Sequence, residues 1–424
     1  TEAAIRGSNT VVVANANDNN DRVATTGGQL ASNPTGNPFA DFFSDGSSVD
    51  KPETSDFAGY VAPDLIGKQG SATGVVVDAL ALQQTSSVIA TAGISADFVS
   101  GVGIAAAVNT TVMGGSARAL VEDATIGDTT NSTAAGDLTL AAGHHAYGTE
   151  VMLGAAASSV GVVAAAGVST YSGEATAAIR DANVKIGGDI NVDAFSRRDQ
   201  LSVIAGVAVG SWAGVSGSGA VSVFSGNTNA EVTGNSDIRA NSLDLDADSA
   251  SQQDLVVIGL AGSAGVAGAG TVAVAVSESD TKARIGDGNG APQVVTTHDV
   301  SVKADNRTEL NTVSASAALA SGMGTAIAGA IGVQYIGNST EASIRGADVT
   351  AGGKLDVLAT DTLDSDAVAG SASVGGSAGA IGVNIGVIKS ATLAQIKDSD
   401  VITGGAVRVD ATRSANLEMD SVVA

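Results

Sequence analysis

The residues best placed to do chemistry in this sequence are short runs of oxygen donors and one pair of imidazoles. Asn17-Asp18-Asn19-Asn20-Asp21 sets side-chain oxygens in a row, the hard-donor set that a calcium ion takes. The spacing is not that of an EF-hand, and Asn and Asp are equally the residues of a solvated turn. Gly286-Asp287-Gly288-Asn289-Gly290 reads in the same way. Asp18, Asp21 and Asp287 are therefore calcium candidates, with turn residues as the reading preferred.

His144-His145 is the one adjacent pair of imidazoles. A zinc site needs three or four ligands, and no second ligand group falls nearby in sequence. At the matching place in other repeats stand Arg197-Arg198 and Gln252-Gln253, so the pair reads as an exposed polar corner. Asp193, Asp246 and Asp410 recur at one repeat position, where stacked carboxylates would call for a cation. Asp78, Ala141, Lys303 and Leu358 occupy the same position in other repeats, so a wet strand face with Asp/Lys pairing is the better reading. No nucleophile elbow, phosphate loop or paired carboxylates in a pocket-forming context occurs. No catalytic residue and no metal site is assigned, calcium at the three aspartates aside.

These residues must be positioned by a repeat. The form apolar-x-apolar-x-Ala appears at Val75-Val77-Ala79 and returns at Leu138, Ile190, Leu243, Val300, Leu355 and Val407. The residues between are mostly polar, which is the period of a strand with one wet face. A variable polar corner follows, then a long apolar section such as Leu201 to Val223 or Leu255 to Val276. Both faces of that section are apolar, so it is expected to be buried on both sides or packed against a neighbouring molecule. Glycines near its middle (Gly214, Gly217, Gly219, Gly265, Gly268, Gly270, Gly376, Gly379) suit either a hairpin reversal or a tight sheet spacing. A second ladder, Ala-x-Ile/Val, closes each unit at Ala3, Ala119, Ala177, Ala230, Ala283, Ala342 and Ala394. Ile126, Val184, Ile238, Val349 and Val401 follow five or six positions after the ladder's Ile or Val, ahead of a Gly or Asn turn.

The expected fold is all-β, a parallel β-solenoid of the β-helix kind, built from repeats of about 52–57 residues. The chain divides into the end of a preceding repeat (1–13), an insertion or loop (14–73), repeats at 74–136, 137–188, 189–241, 242–298, 299–353 and 354–405, and the start of another at 406–424. Because it starts at Thr1 and both ends fall within a repeat, a processed product or excised piece of a longer array is expected. The 14–73 segment holds four of the five prolines and five of the twelve aromatics. Insertions on one edge of a repeat array are favoured binding positions. The candidate interaction surface is therefore Phe39, Phe42, Phe43, Phe57 and Tyr60, with the corner residues His144, His145, Arg197 and Arg198. A smaller insertion is read at Gly286 to His298.

A net charge of −24 over 424 residues repels phosphates, which argues against nucleic acid and an anionic membrane face as partners. The absence of cysteine excludes a disulfide framework. Leu255 to Val276 is uncharged and long enough to raise a membrane helix. Its glycines, its β-branched valines and its recurrence in every repeat point instead to strands, so no membrane insertion is expected.

The succession Asp189-Ile190-Asn191-Val192-Asp193-Ala194, then Ser218-Gly219-Ala220-Val221-Ser222-Val223, then Ala283-Arg284-Ile285-Gly286-Asp287-Gly288 resembles repeats of giant bacterial surface proteins. The nearest resemblance is to leukotoxin-family filamentous adhesins, and more loosely to filamentous-haemagglutinin-like exoproteins. It covers roughly 74–424 and the first dozen residues, and the 14–72 segment departs from it. It implies an extracellular stalk at the bacterial cell surface serving attachment or biofilm. The implied partners are a host or neighbouring-cell surface or matrix polysaccharide, with lateral or end-to-end self-association. The alternative is a carbohydrate-active β-helix enzyme, a polysaccharide lyase or glycosidase, although the chain is poor in the basic and aromatic residues such sites use.

Overall fold

The computed structural model describes residues 1–7, 11–12, 22–27, 74–95, 100–127 and 136–424. Among them every regular element is a strand, and the strands form two parallel sheets, one of fourteen strands and one of seven. No described helix is long and apolar enough to cross a membrane, and the run from Leu255 to Val276 is two strands, Leu243–Ser263 and Val266–Ile285.

The motifs of the sequence are register partners. Val75 pairs with Leu138, Leu138 with Ile190, Ile190 with Leu243, Leu243 with Val300, Val300 with Leu355 and Leu355 with Val407. The second ladder stacks likewise, from Ala3 on Ala119 to Ala342 on Ala394. Parallel strands about 4.8 Å apart thus set like on like, and side chains of similar size fill each column.

Ile126, Val184 and Ile238 lie in the smaller sheet, and Val294 pairs with Ile238 and with Val349. The segment read as an insertion at Gly286 to His298 therefore contains a regular strand, Gln293–Thr296. Only the residues ahead of it are extra, and they displaced Val294 from the spacing at which its equivalents stand. The two ladders and this third column share one buried core.

Between the ladders the chain runs out and doubles back. Ser249 Oγ lies 2.9 Å from Ser279 Oγ and Ser251 Oγ lies 3.4 Å from Ser277 Oγ, so each step forward on the outgoing arm matches a step back on the returning one. The reversals fall at Ser263–Val266 and at Ser321–Thr325, and in the unit from Asp137 to Arg180 at the register break between Ser158 and Val160. Of the glycines in question, Gly265 and Gly376 sit at reversals, whereas a β-carbon on Gly268, Gly270 or Gly379 would meet no atom within 4 Å. Neither turn geometry nor intrachain crowding explains those three.

One alternative for the apolar section and one expectation for the polar corner are overturned. The apolar section is not buried on both faces: alternate residues point into the space between the arms, and Val209, Val272 and Ile327 on the other face are exposed. The polar corner is not a corner. It is continuous strand, and His144, His145, Arg198 and Gln253 are buried. Period-two alternation reports which residues share a face, but not which face is covered.

Candidate functional site

Building from the strands inward, His144, Ser196, Ser249, Asn306 and Asp361 form one register column, and Arg198, Ser251 and Thr308 stand in the next column on the same face. With Ser277, Ser279 and Asn338 from the returning arms they make a buried polar band between two apolar cores. Arg198 donates from Nη2 to Ser249 Oγ and Ser279 Oγ, each at 3.1 Å. Asn338 Nδ2 donates to Thr308 Oγ1 at 2.9 Å, and Asn306 Nδ2 to Asp361 Oδ1 at 2.8 Å.

Space for the large members comes from glycines across the gap. Gly173 faces the His144 ring, Gly226 faces Arg198 Nη1, and Gly148 faces the Tyr171 hydroxyl. Burial, with the Arg198 charge adding to it, pushes the His144 imidazole down to about 4. Burial alone lowers the Arg198 guanidinium to about 10, and its Nε and Nη1 find no acceptor among the described residues.

Of the sequence candidates, His144 and Arg198 thus come together inside the protein. His145 and Arg197 are brought together at Asp199, whose Oδ2 accepts from Arg197 Nε at 2.6 Å and lies 3.3 Å from His145 Nε2. Arg197 is the most accessible of these four. Phe39, Phe42, Phe43, Phe57, Tyr60, Asp18 and Asp21 lie outside the described residues. Asp287 stands in an exposed turn and accepts from the Asn289 backbone N–H at 2.8 Å, which holds its carboxyl below the usual range. No group of three or more His, Asp or Glu gathers to hold a metal among the described residues.

The open polar depression lies elsewhere, at the bend after the second ladder. It has a volume of about 420 Å³ and is lined by Arg180, Asp181, Glu231, Arg284, Asp287 and Asn289, among others. Glu231 is buried and bridges two repeats. Arg180 Nε donates to Oε1 at 2.9 Å, while Arg284 donates to Oε2 from Nε at 2.8 Å and from Nη2 at 2.6 Å. The same bend carries Arg6 on Glu122, at 2.7 Å.

The bend is made by a left-handed residue, Asp123, Asp181, Gly234, Gly286, Gly346 or Asp398, types that tolerate positive φ. Gly234 needs both freedoms, since its φ is +68° and a β-carbon there would meet the Asp181 carboxylate. This bend was legible as a Gly or Asp directly following each second-ladder strand.

Chemically, the depression can bind a polar group between guanidinium and carboxylate. Comparison with protein-family models, with curated proteins and with solved structures found no match.

Proposed function

We propose that this chain is a structural and adhesive segment of an extracellular bacterial filament, a parallel β-solenoid in which each repeat makes one wide turn. The stacked repeats would form a stalk or matrix fibre. One observation supports the reading: a single register of equivalent residues runs through the array from Val75 to Val407. Such an array lengthens by about 4.8 Å per repeat at constant cross-section, which is the geometry of a spacer. The acidic composition keeps such an array soluble. Attachment, to a cell surface or a matrix polysaccharide, falls to the bends, where residues vary between repeats.

Negative-stain imaging of the purified chain should show flat slabs, roughly 70 Å along the strands and roughly 35 Å along the stacking axis that repeat number sets, and labelled chain should bind bacterial cells or their polysaccharide. Globules without that flat, stacked form would remove the stalk, and slabs that bind neither would remove adhesion.

The depression at Glu231 gives a second reading, a polysaccharide-cleaving enzyme, because it sets acids beside arginines. Its chemistry counts against this. Glycoside hydrolysis needs one carboxyl that holds a proton near neutral pH and another free to act. Asp287 is held ionised, and both Glu231 oxygens are already engaged by guanidinia. Release of reducing ends from a polysaccharide panel by the wild-type chain, lost in Glu231→Gln, would overturn the structural reading.

A further inference from the structure

The returning arm presents to the outside a flat face without a formal charge. No Asp, Glu, Lys or Arg occurs between Asp199 and Glu231, between Asp254 and Glu278, or between Glu309 and Glu341, although the chain as a whole carries −24. On that face Val112 is 74%, Val108 71%, Ile327 60%, Val272 41% and Ile331 40% exposed. Its columns are parallel ladders running across the strands from Val102–Glu122 to Ser377–Ile388.

We propose that this face docks on the same face of a second copy of the chain, as an isologous dimer. The size fits. About nine residues of strand at ~3.3 Å each, across six strands ~4.8 Å apart, give a patch of roughly 30 by 30 Å. That is about 900 Å², close to the ~800 Å² that each partner contributes to a standard stable interface. An exposed apolar patch larger than a few hundred Å² marks an interaction surface.

The glycines identify a protein partner over lipid. Gly268, Gly270 and Gly379 lie on this face with open space before them and without a positive φ, so alanine would fit each in the single chain and would favour the strand. A close-packed sheet from another molecule gives them a reason, since it lets backbones approach. Fluid acyl chains do not, and a lipid-facing sheet is edged with full aromatic girdles, whereas among the described residues this one has Tyr335 near its base and Trp212 at a reversal. The proposal extends the stalk reading, because paired faces would bundle rods side by side. Its test is separate, since rods can form without pairing and compact molecules can pair.

The chain has no cysteine, so a single thiol reports its own neighbour. In sedimentation velocity at about 10 µM, within the range for interfaces of this size, the wild type should run as a dimer. The Val272→Lys, Ile331→Lys double variant should dissociate at least ~10-fold more readily. Under mild oxidation, Val272→Cys should cross-link to itself and Leu260→Cys, on the opposite arm, should not. Circular dichroism checks that each variant is folded. The cysteine pair keeps the test decisive should the lysine variant fail to fold. A wild type that is monomeric at about 100 µM, or equal cross-linking through both thiols, would overturn the proposal. So would monomers that float with phosphatidylcholine vesicles, which would assign the face to lipid.

Discussion

The imidazole of His144 occupies the space that a β-carbon on Gly173 would need, across the gap between the outgoing and returning arms of one repeat. The glycine there is a matter of volume, since its φ is not positive. Gly173→Ala should lower stability by about 1–3 kcal/mol, the cost of overpacking. Adding His144→Ala should recover part of the loss. Thermal melts of the two single variants and the double variant measure this, and strict additivity would show that the two positions do not meet.

Acid should weaken the protein through His144. Its folded value of about 4 lies below the unfolded 6.5, so the folded state binds fewer protons between those limits. The stability it supports is complete above pH 6.5 and is lost as pH falls toward 4, by up to roughly 3 kcal/mol. In His144→Gln that limb of the urea-denaturation profile should flatten between pH 6.5 and 4.

Asp246 should act in the opposite sense. Burial, helped by Asp244, Asp248 and Asp305 against the opposing Lys303, raises its carboxyl to about 7 from an unfolded 3.8. The folded state therefore holds the extra proton, and the stability so gained is complete below pH 3.8 and is lost as pH rises through 7. Asp246→Asn should be more stable than wild type at pH 8, by roughly 2 kcal/mol after screening, and equal to it at pH 3.5. A constant difference at both pH values would refute the assignment.

Arg198 costs stability where it lies. It is wholly buried, and only Nη2 has partners. Replacing a buried charge with an apolar side chain of similar reach is commonly neutral or stabilising, by about 1–4 kcal/mol. Arg198→Met should therefore unfold at the same or higher urea concentration, because Ser249 and Ser279 remain bonded to each other. Arg198→Ala should be worse than Arg198→Met through the cavity it leaves. A loss of more than about 2 kcal/mol in Arg198→Met would show that the guanidinium is held by more than the two serines.

Both ladders could be read from the chain because Leu138, Ile190 and Leu243, or Ala177, Ala230 and Ala283, recur at near-constant spacing, and in-register parallel pairing is what repeated spacing favours. Val294 was hidden because the residues ahead of it broke that spacing. Of the open depression, Arg180, Glu231 and Arg284 left only a faint trace, opposite charges near one ladder position, since Arg180 reaches Glu231 from two positions further along its own strand.

The alternation of residues such as Ser202, Ile204, Leu201 and Val203 was enough, by itself, to fix strands and to sort side chains into two faces. Which face is inside was decided by the tertiary structure, because that depends on the chain doubling back so that the two arms cover each other. His144 and Arg198 look like surface residues to any local rule. They are buried because Gly173 and Gly226, 29 and 28 positions away, leave room for them on the facing arm. Val272 and Ile331 look like core residues and are exposed for the complementary reason: among the described residues, no second sheet lies on their side.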